Sequence, residues 1–396
     1  MKNTIIAGLI FCCSAEFAAA QNVNIPDANF KAALVGNPSI NTNNDAEIQV
    51  SEASAYNGNI NVTGLGIADL TGIEAFTAIT GLDCSYNTLT NLNVSNNTML
   101  TSLYCNNNSL ANLNVSSNTA LINFDCSVNA LSTLNVSSNT NLSVLGCNNN
   151  NLTSLNTSAN TNLSILDCDH NQLGSLNVSG NTGLTTLYCG YNAITNLSVS
   201  ANTALTTLGC YHNQLSSLVL TSNTNLRYLN CQFNNLAGLD VSGNHALTQI
   251  GCYNNQLTSL NVKNGNNSNF TAFYAQNNPN LACIEVDNPA YMNANWSAGK
   301  DPSATFSTNC LNTDASDIPD ETAFTISPNP SPGIFTINLN SDKKASILIY
   351  DIMGSELKRK DFNRKEQVDL TGEAAGIYFV ELRTDEMRVI RKLVIR

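Results

Sequence analysis

Nine cysteines, Cys84, Cys105, Cys126, Cys147, Cys168, Cys189, Cys210, Cys231 and Cys252, recur every 21 residues without a slip. A fixed period of this length means one small structural unit stacked on copies of itself. Each cysteine sits in the same phrase, L-x-x-L-x-C-x-x-N-x-L-x-x-L-x-V-S-x-N-T, with copies starting at Ile79, Leu100, Leu121, Leu142, Leu163, Leu184, Leu205, Leu226 and Leu247. Departures keep the frame: Phe124, Ile194 and Ile250 stand for Leu, Thr157 for Val and His245 for Thr.

The run L-x-x-L-x-C alternates apolar and polar residues, as a short strand with one buried face requires. Stacked coils then set their strands about 4.8 Å apart in a parallel sheet. A second apolar run, such as Leu113-x-Val115, closes each coil on the opposite wall. One coil buries too few side chains to offset the entropy of ordering it, so only the stack folds. The Asn three residues after each cysteine (Asn87 to Asn255) is placed to satisfy turning backbone as a ladder of side-chain amides. The far-turn Asn of pairs such as Asn118-Thr119 is expected to do the same on the other side. The cysteines read as a buried column of free thiols. In-register neighbours point the same way at a spacing wider than disulfide geometry favours, and no C-x-x-C cluster suggests zinc.

This phrase resembles the leucine-rich-repeat family in its short 21-residue bacterial form. The implied fold is mainly β: a solenoid with a parallel sheet, a short helical N-terminal cap and, further on, an antiparallel β-sandwich. The expected organisation is a leader at 1–20, a cap and longer internalin-like first repeat at 21–78, nine repeats at 79–269 and a C-terminal cap at 270–310. A linker at 311–323 and a final domain at 324–396 complete it. Cys283 and Cys310 fall outside the 21-residue frame, where a terminal coil needs closing, and they predict a disulfide worth about 3 kcal/mol. In the N-terminal cap, Pro26 to Val35 reads as a short helix with Asp27 near its start. Asn41, Asn43, Asp45, Glu47, Gln49 and Glu52 have the oxygen spacing of an EF-hand loop. Asn41 replaces the usual Asp and Ala46 the usual Gly, so a weak structural calcium site and a plain polar connection both stay open. No other cofactor is expected.

The two ends speak of export. Lys2, the apolar run Ile5 to Cys13 and Ala18-Ala19-Ala20 read as a secretory leader too short to span a bilayer. Cys12 raises a lipoprotein alternative, against which Phe11 stands where a small residue is expected. From Phe324 onwards the chain holds 12 of its 17 Lys and Arg residues and shows strand alternation, which predicts a small antiparallel β-sandwich. Pro328-Asn329-Pro330-x-x-Gly333, Ile349-Tyr350-Asp351-x-x-Gly354, Gly376-Ile377-Tyr378 and Lys392-Leu393-Val394 resemble the sorting domain of the Bacteroidota type IX secretion pathway. That resemblance implies the secretion machinery as a partner, removal of the domain at the surface and, often, attachment to lipopolysaccharide. An accessory immunoglobulin-like module is the alternative.

Function is expected on the concave sheet. No catalytic motif is present, and a net charge of -12 argues against nucleic acid as a partner, which would need a basic face. Side chains beside the core Leu and Cys vary, and from the fifth coil they gather Asp167, Asp169, His170, Tyr188, Tyr191, Tyr211, His212, Tyr228, Phe233 and Tyr253. Aromatics with hydrogen-bonding tips on a rigid sheet suit recognition of proteins or glycans, that is, adhesion at the cell surface. A passive coat or a non-catalytic targeting partner of a separate enzyme is the alternative. Nothing in the sequence suggests an enzyme or a membrane-spanning segment.

Overall fold

The computed structural model describes residues 21–310, 324–339, 344–351, 355–383 and 388–396. The leader at 1–20 and the linker at 311–323 lie outside the described residues. The chain divides into two compact units between Asn309 and Cys310, each with its own hydrophobic core.

In the first unit, eleven three-residue strands form one parallel sheet, from Asn59–Asn61 through Gly81–Asp83 and Ser102–Tyr104 to Ala272–Tyr274. Register is strict: Leu103 lies between Leu82 and Phe124, and every later coil repeats the match. The middle residue of each strand and the following cysteine point inwards and are buried. All nine cysteines of the period are free. Those at 84, 105, 126 and 168 lie 3.4–3.6 Å from the carbonyls of Tyr104, Asp125, Gly146 and Tyr188 in the next coil, within reach of a thiol donor. Burial pushes the Cys84 thiol up to about 12, so these groups are weak donors inside the core and not nucleophiles.

Two asparagine ladders flank the core. Asn129 shows the first: its Nδ2 donates to the carbonyls of Cys105 and Cys126, both at 3.1 Å, and its Oδ1 accepts the Leu110 N–H at 2.9 Å. The ladder continues past the last cysteine, where Ala275 takes the thiol's place and Asn278 bonds the carbonyls of Cys252 and Ala275. On the far wall Asn118 donates to the Val94 and Asn97 carbonyls, both at 2.9 Å. Its Oδ1, like those of Asn97, Asn139, Asn160, Asn202 and Asn223, has no partner among the described residues. Asn181 differs because Thr157, which replaces Val in the repeat, donates its hydroxyl to Asn181 Oδ1 at 2.9 Å.

Helix α1, Ala28–Val35, starts at Asp27, whose Oδ1 accepts the Asn29 and Phe30 N–H groups. Its Oδ2 accepts the Ala68 N–H at 2.8 Å, tying the cap to the first coil. Helix α2, Val50–Ala55, is held by a capping box of Gln49 and Glu52. Towards the other end the far wall becomes a parallel sheet of its own, made of Gly238–Asp240, Ser259–Asn261, Cys283–Glu285 and Thr305–Ser307. Segment 270–310 thus extends both walls, and helix α3, Pro289–Trp296, buries Met292 in the same core.

The second unit is an antiparallel sandwich. Phe324–Ser327, Ile334–Leu339 and Lys365–Asp369 form one sheet; Glu356–Asn363, Lys344–Asp351, Gly376–Arg383 and Arg388–Ile395 form the other. Alternate residues such as Phe335, Ile337, Ile347, Ile349, Val380 and Leu382 fill its core, the period-2 burial that one-sided strands require.

Candidate recognition face

Each coil presents four outward positions: the residues three and one before the cysteine, and the two directly after it. The ten residues singled out in the sequence all occupy them. Tyr228 takes the first, Asp167 and Tyr188 the second, Asp169, Tyr211 and Tyr253 the third, and His170, Tyr191, His212 and Phe233 the fourth.

The fourth position has left-handed backbone in every coil from Tyr86 (φ 56) to Asn277 (φ 57). Asn tolerates this conformation best among residues with a side chain, and Asn107, Asn149, Asn254 and Asn277 occupy it accordingly. Four consecutive coils instead carry His170 (φ 52), Tyr191 (φ 46), His212 (φ 48) and Phe233 (φ 54). For such bulky residues this backbone costs on the order of 1 kcal/mol each. Their rings stack in sequence: His170 on Tyr191 at 4.0 Å, Tyr191 on His212 at 4.1 Å and His212 on Phe233 at 3.9 Å between centroids. The column therefore offers a continuous row of ring edges, with Tyr191 42% and Phe233 38% exposed.

Beside it, Asp169 is buried and accepts the Tyr211 hydroxyl at 2.5 Å as well as the Gly190 backbone N–H. The two glycines here are spacers. A Cβ on Gly190 would lie 2.7 Å from atoms of the Tyr211 ring, and one on Gly209 would lie 2.7 Å from the Tyr188 ring. Burial raises the Asp169 carboxyl above its usual range, against the pull of its two donors. Burial, and then the hydrogen bond to Asp169, push the Tyr211 phenol up. Asp167 rises to about 6, first through burial and then through the neighbouring Asp169 and Asp125 carboxylates. The nearby His170 pulls the Asp169 carboxyl back down, and the chain has no Lys or Arg between Lys31 and Arg227. Burial and the nearby His170 hold the His212 imidazole below its usual value.

Some outward aromatics escaped the sequence reading. Tyr274 is 50% exposed and stands one residue before Ala275, as Tyr188 stands before Cys189. That offset was its signal, masked by a 23-residue step from Cys252 to Ala275. Tyr86 and Tyr104 are also exposed, so aromatic side chains are not confined to the later coils. What begins at His170 is contact between them.

The other predicted sites lie off this face. Cys283 and Cys310 are both disulfide-bonded. The loop from Asn41 to Glu52 joins the side chains of Asn43, Asp45 and Gln49 to one another, while Asn41, Glu47 and Glu52 bond other groups. Asp45 Oδ2 accepts from Asn43 and Gln49, and Glu52 accepts from the Thr42, Asn43 and Gln49 backbone. Glu47 pairs with Lys31 at 2.6 Å. Asn41 donates to the Val35 and Asp45 carbonyls. Among the described residues no group of three or more His, Cys, Asp or Glu side chains is placed to share a metal ion.

Comparison with known proteins fits both units. Residues 325–396 match the family described as the secretion system C-terminal sorting domain. The functional domain of InlJ from Listeria monocytogenes, whose structure includes a cysteine ladder, superposes with a TM-score of 0.55. It shares 22% identity, over 95% of this chain and 98% of that one. A TDR receptor superposes with a TM-score of 0.52 at 18% identity, over 60% of this chain and 52% of that one. No curated protein matches the chain. Among the described residues no helix is long and apolar enough to cross a membrane. The first unit therefore has the leucine-rich-repeat fold, and residues 325–396 are a type IX secretion sorting domain, which marks the chain for secretion or attachment at the cell surface.

Proposed function

We propose that the solenoid is a recognition surface that binds protein or glycan ligands through its concave sheet, without catalysis of its own. The stacked column of His170, Tyr191, His212 and Phe233 carries this reading. Asn107, Val128, Asn149, Asn254 and Asn277 take the same left-handed position in other coils, so the fold does not call for aromatics there. Tyr188 and Tyr211, seated over glycines, extend the surface beside the column. A rigid sheet holding aromatic groups lowers the entropy lost on binding. The test is binding of the full chain to a broad glycan array and to intact cell surfaces. Replacement of Tyr188, Tyr191 and Tyr211 by Ala is expected to abolish it.

A second reading is a passive coat or a targeting partner for a separate enzyme. It draws support from the way the stacked rings spend their faces on one another. No binding to glycans or cells by the unaltered chain favours the coat, and co-purification of an enzyme favours the targeting role. We also read the tail as the segment that the type IX machinery engages and a surface peptidase removes, with lipopolysaccharide attachment as one fate. Mass spectrometry of the exported protein is expected to find a C-terminus before residue 325.

A structural calcium ion in the Asn41–Glu52 loop is a separate proposal. The buried Asn41 Oδ1 has no partner and supports it, while the Glu47–Lys31 pair must open to allow it. A melting temperature unmoved by calcium titration ends that reading.

A further inference from the structure

We infer that a bowl near the C-terminal end of the concave sheet is a subsite for a neutral, hydroxyl-rich sugar ring. The inference rests on the recognition reading above and deepens it.

Three successive strands build the bowl: Tyr228–Asn230, Gln249–Gly251 and Ala272–Tyr274. In register, Gly251 lies between Asn230 on one side and Tyr274 on the other, and Gln249 lies between Tyr228 and Ala272. A glycine flanked by two larger outward side chains leaves a gap in the surface. The resulting depression holds about 340 Å³, at the lower end of the range of roughly 300–1,000 Å³ found for small-ligand sites. Gly251 and Ala272 line it along with Tyr228, Tyr253 and Tyr274.

The polar groups are what select a ligand. Asn230 Oδ1 leans over the floor, 2.9 Å from where a Cβ on Gly251 would sit. Gln232 Oε1 lies 3.5 Å from the same point. Gln232 is only 8% exposed, and this oxygen, enclosed just beneath the lining, has no hydrogen-bond partner among the described residues. A buried acceptor without a donor costs about 1–3 kcal/mol and keeps the floor rich in acceptors, while Asn230, in the lining itself, offers its oxygen to a ligand hydroxyl. Gln249 adds another amide to the lining. No charged side chain lines the bowl, so a charged ligand group would lose its hydration there without gaining a counter-charge. Tyrosine walls, amide oxygens at the floor and neutrality together suit a pyranose. Its C–H face packs on an aromatic ring while its hydroxyls donate to the amides.

The experiment offers the full chain an array of neutral oligosaccharides (glucan, mannan, galactan and chitin fragments) beside sulfated and sialylated ones. Binding of at least one neutral series is expected, weakened tenfold or more by Gly251→Ala, which fills the floor, and by Tyr274→Ala. Tyr274 is half exposed, so its loss leaves the fold intact if Gly251→Ala does not. Binding of charged glycans alone, of no glycan, or of neutral glycans equally well by both variants overturns the subsite. If the bowl variants bind as before while Ala at Tyr188, Tyr191 and Tyr211 abolishes cell binding, the subsite fails and the wider face stands. If neither set changes anything, both fail.

Discussion

The coils of Cys84 to Cys147 and those of Cys168 to Cys252 share one core and one sheet, yet they present different surfaces. In the earlier coils the left-handed position holds Tyr86, Asn107, Val128 and Asn149, and no ring contact joins neighbouring coils among the described residues. In the later coils the same position becomes a four-ring stack beside Tyr211 and Asp169. The buried positions hardly notice: Leu145 and Leu187 are equally enclosed, as are Cys126 and Cys210. A repeat frame of this kind separates what folds the chain from what its surface displays. The later half spends its freedom on a surface that folding alone does not require.

The largest expected effect tests the shared frame. Asn129→Ala in the earlier half and Asn192→Ala in the later half should each cost about 3 kcal/mol, because each leaves the Leu110 or Leu173 N–H unpaired and takes from two carbonyls one of the two asparagines that bond them. Denaturant unfolding should show the two losses alike; a loss in one half only breaks the idea of a common frame. Next comes Tyr211→Phe, which removes the hydroxyl donated to Asp169 and should cost about 2 kcal/mol, as a bond to a charged acceptor does. Tyr104→Phe, whose hydroxyl has no such acceptor among the described residues, should change stability by less than about 0.5 kcal/mol. Equal effects would erase the contrast.

A smaller effect is expected from Tyr191→Asn. Asn suits left-handed backbone better, which offsets the lost stacking, so stability should stay within about 1 kcal/mol. Ligand binding should fall all the same. A marked drop in melting temperature would mean that the ring column is structural. The smallest effect concerns pH. Asp167 sits at about 6 against an ordinary 3.8, so the folded state holds a proton that the unfolded chain gives up. The stabilisation is full below the ordinary carboxylate range and is lost as pH rises through about 6. Asp167→Asn should flatten the fall in melting temperature between about pH 4 and pH 6; an unchanged slope would rule Asp167 out as its source.

The cysteine period and the Asn after each thiol were legible because they serve the core, where one solution repeats. The sandwich was legible from its strand alternation. The displayed surface was legible only in part. Outward positions could be numbered from the cysteines, but the left-handed backbone under Tyr191 and His212 could not, since aromatic residues do not announce it. Tyr274 was lost when the spacing lengthened. Thr157 read as a mere departure, whereas its hydroxyl completes Asn181. Gly190 and Gly209 carry no meaning singly; each makes room for a tyrosine from an adjacent coil, a relation that exists only after stacking. In the 41–52 loop the spacing of oxygen-bearing residues did not reveal that Glu47 pairs with Lys31 or that Asn43, Asp45 and Gln49 bond one another.

The long interval without Lys or Arg has a further consequence. Enzymes of trypsin-like specificity hydrolyse peptide bonds after these residues, and between Lys31 and Arg227 they find no bond to cut even when a coil opens. The domain from Phe324 onwards holds 12 of the 17 such residues. Within the solenoid such an enzyme has sites only after Lys31, Arg227, Lys263 and Lys300, so the stretch from Ala32 to Arg227, with the coils of Cys84 to Cys210, survives digestion in one piece.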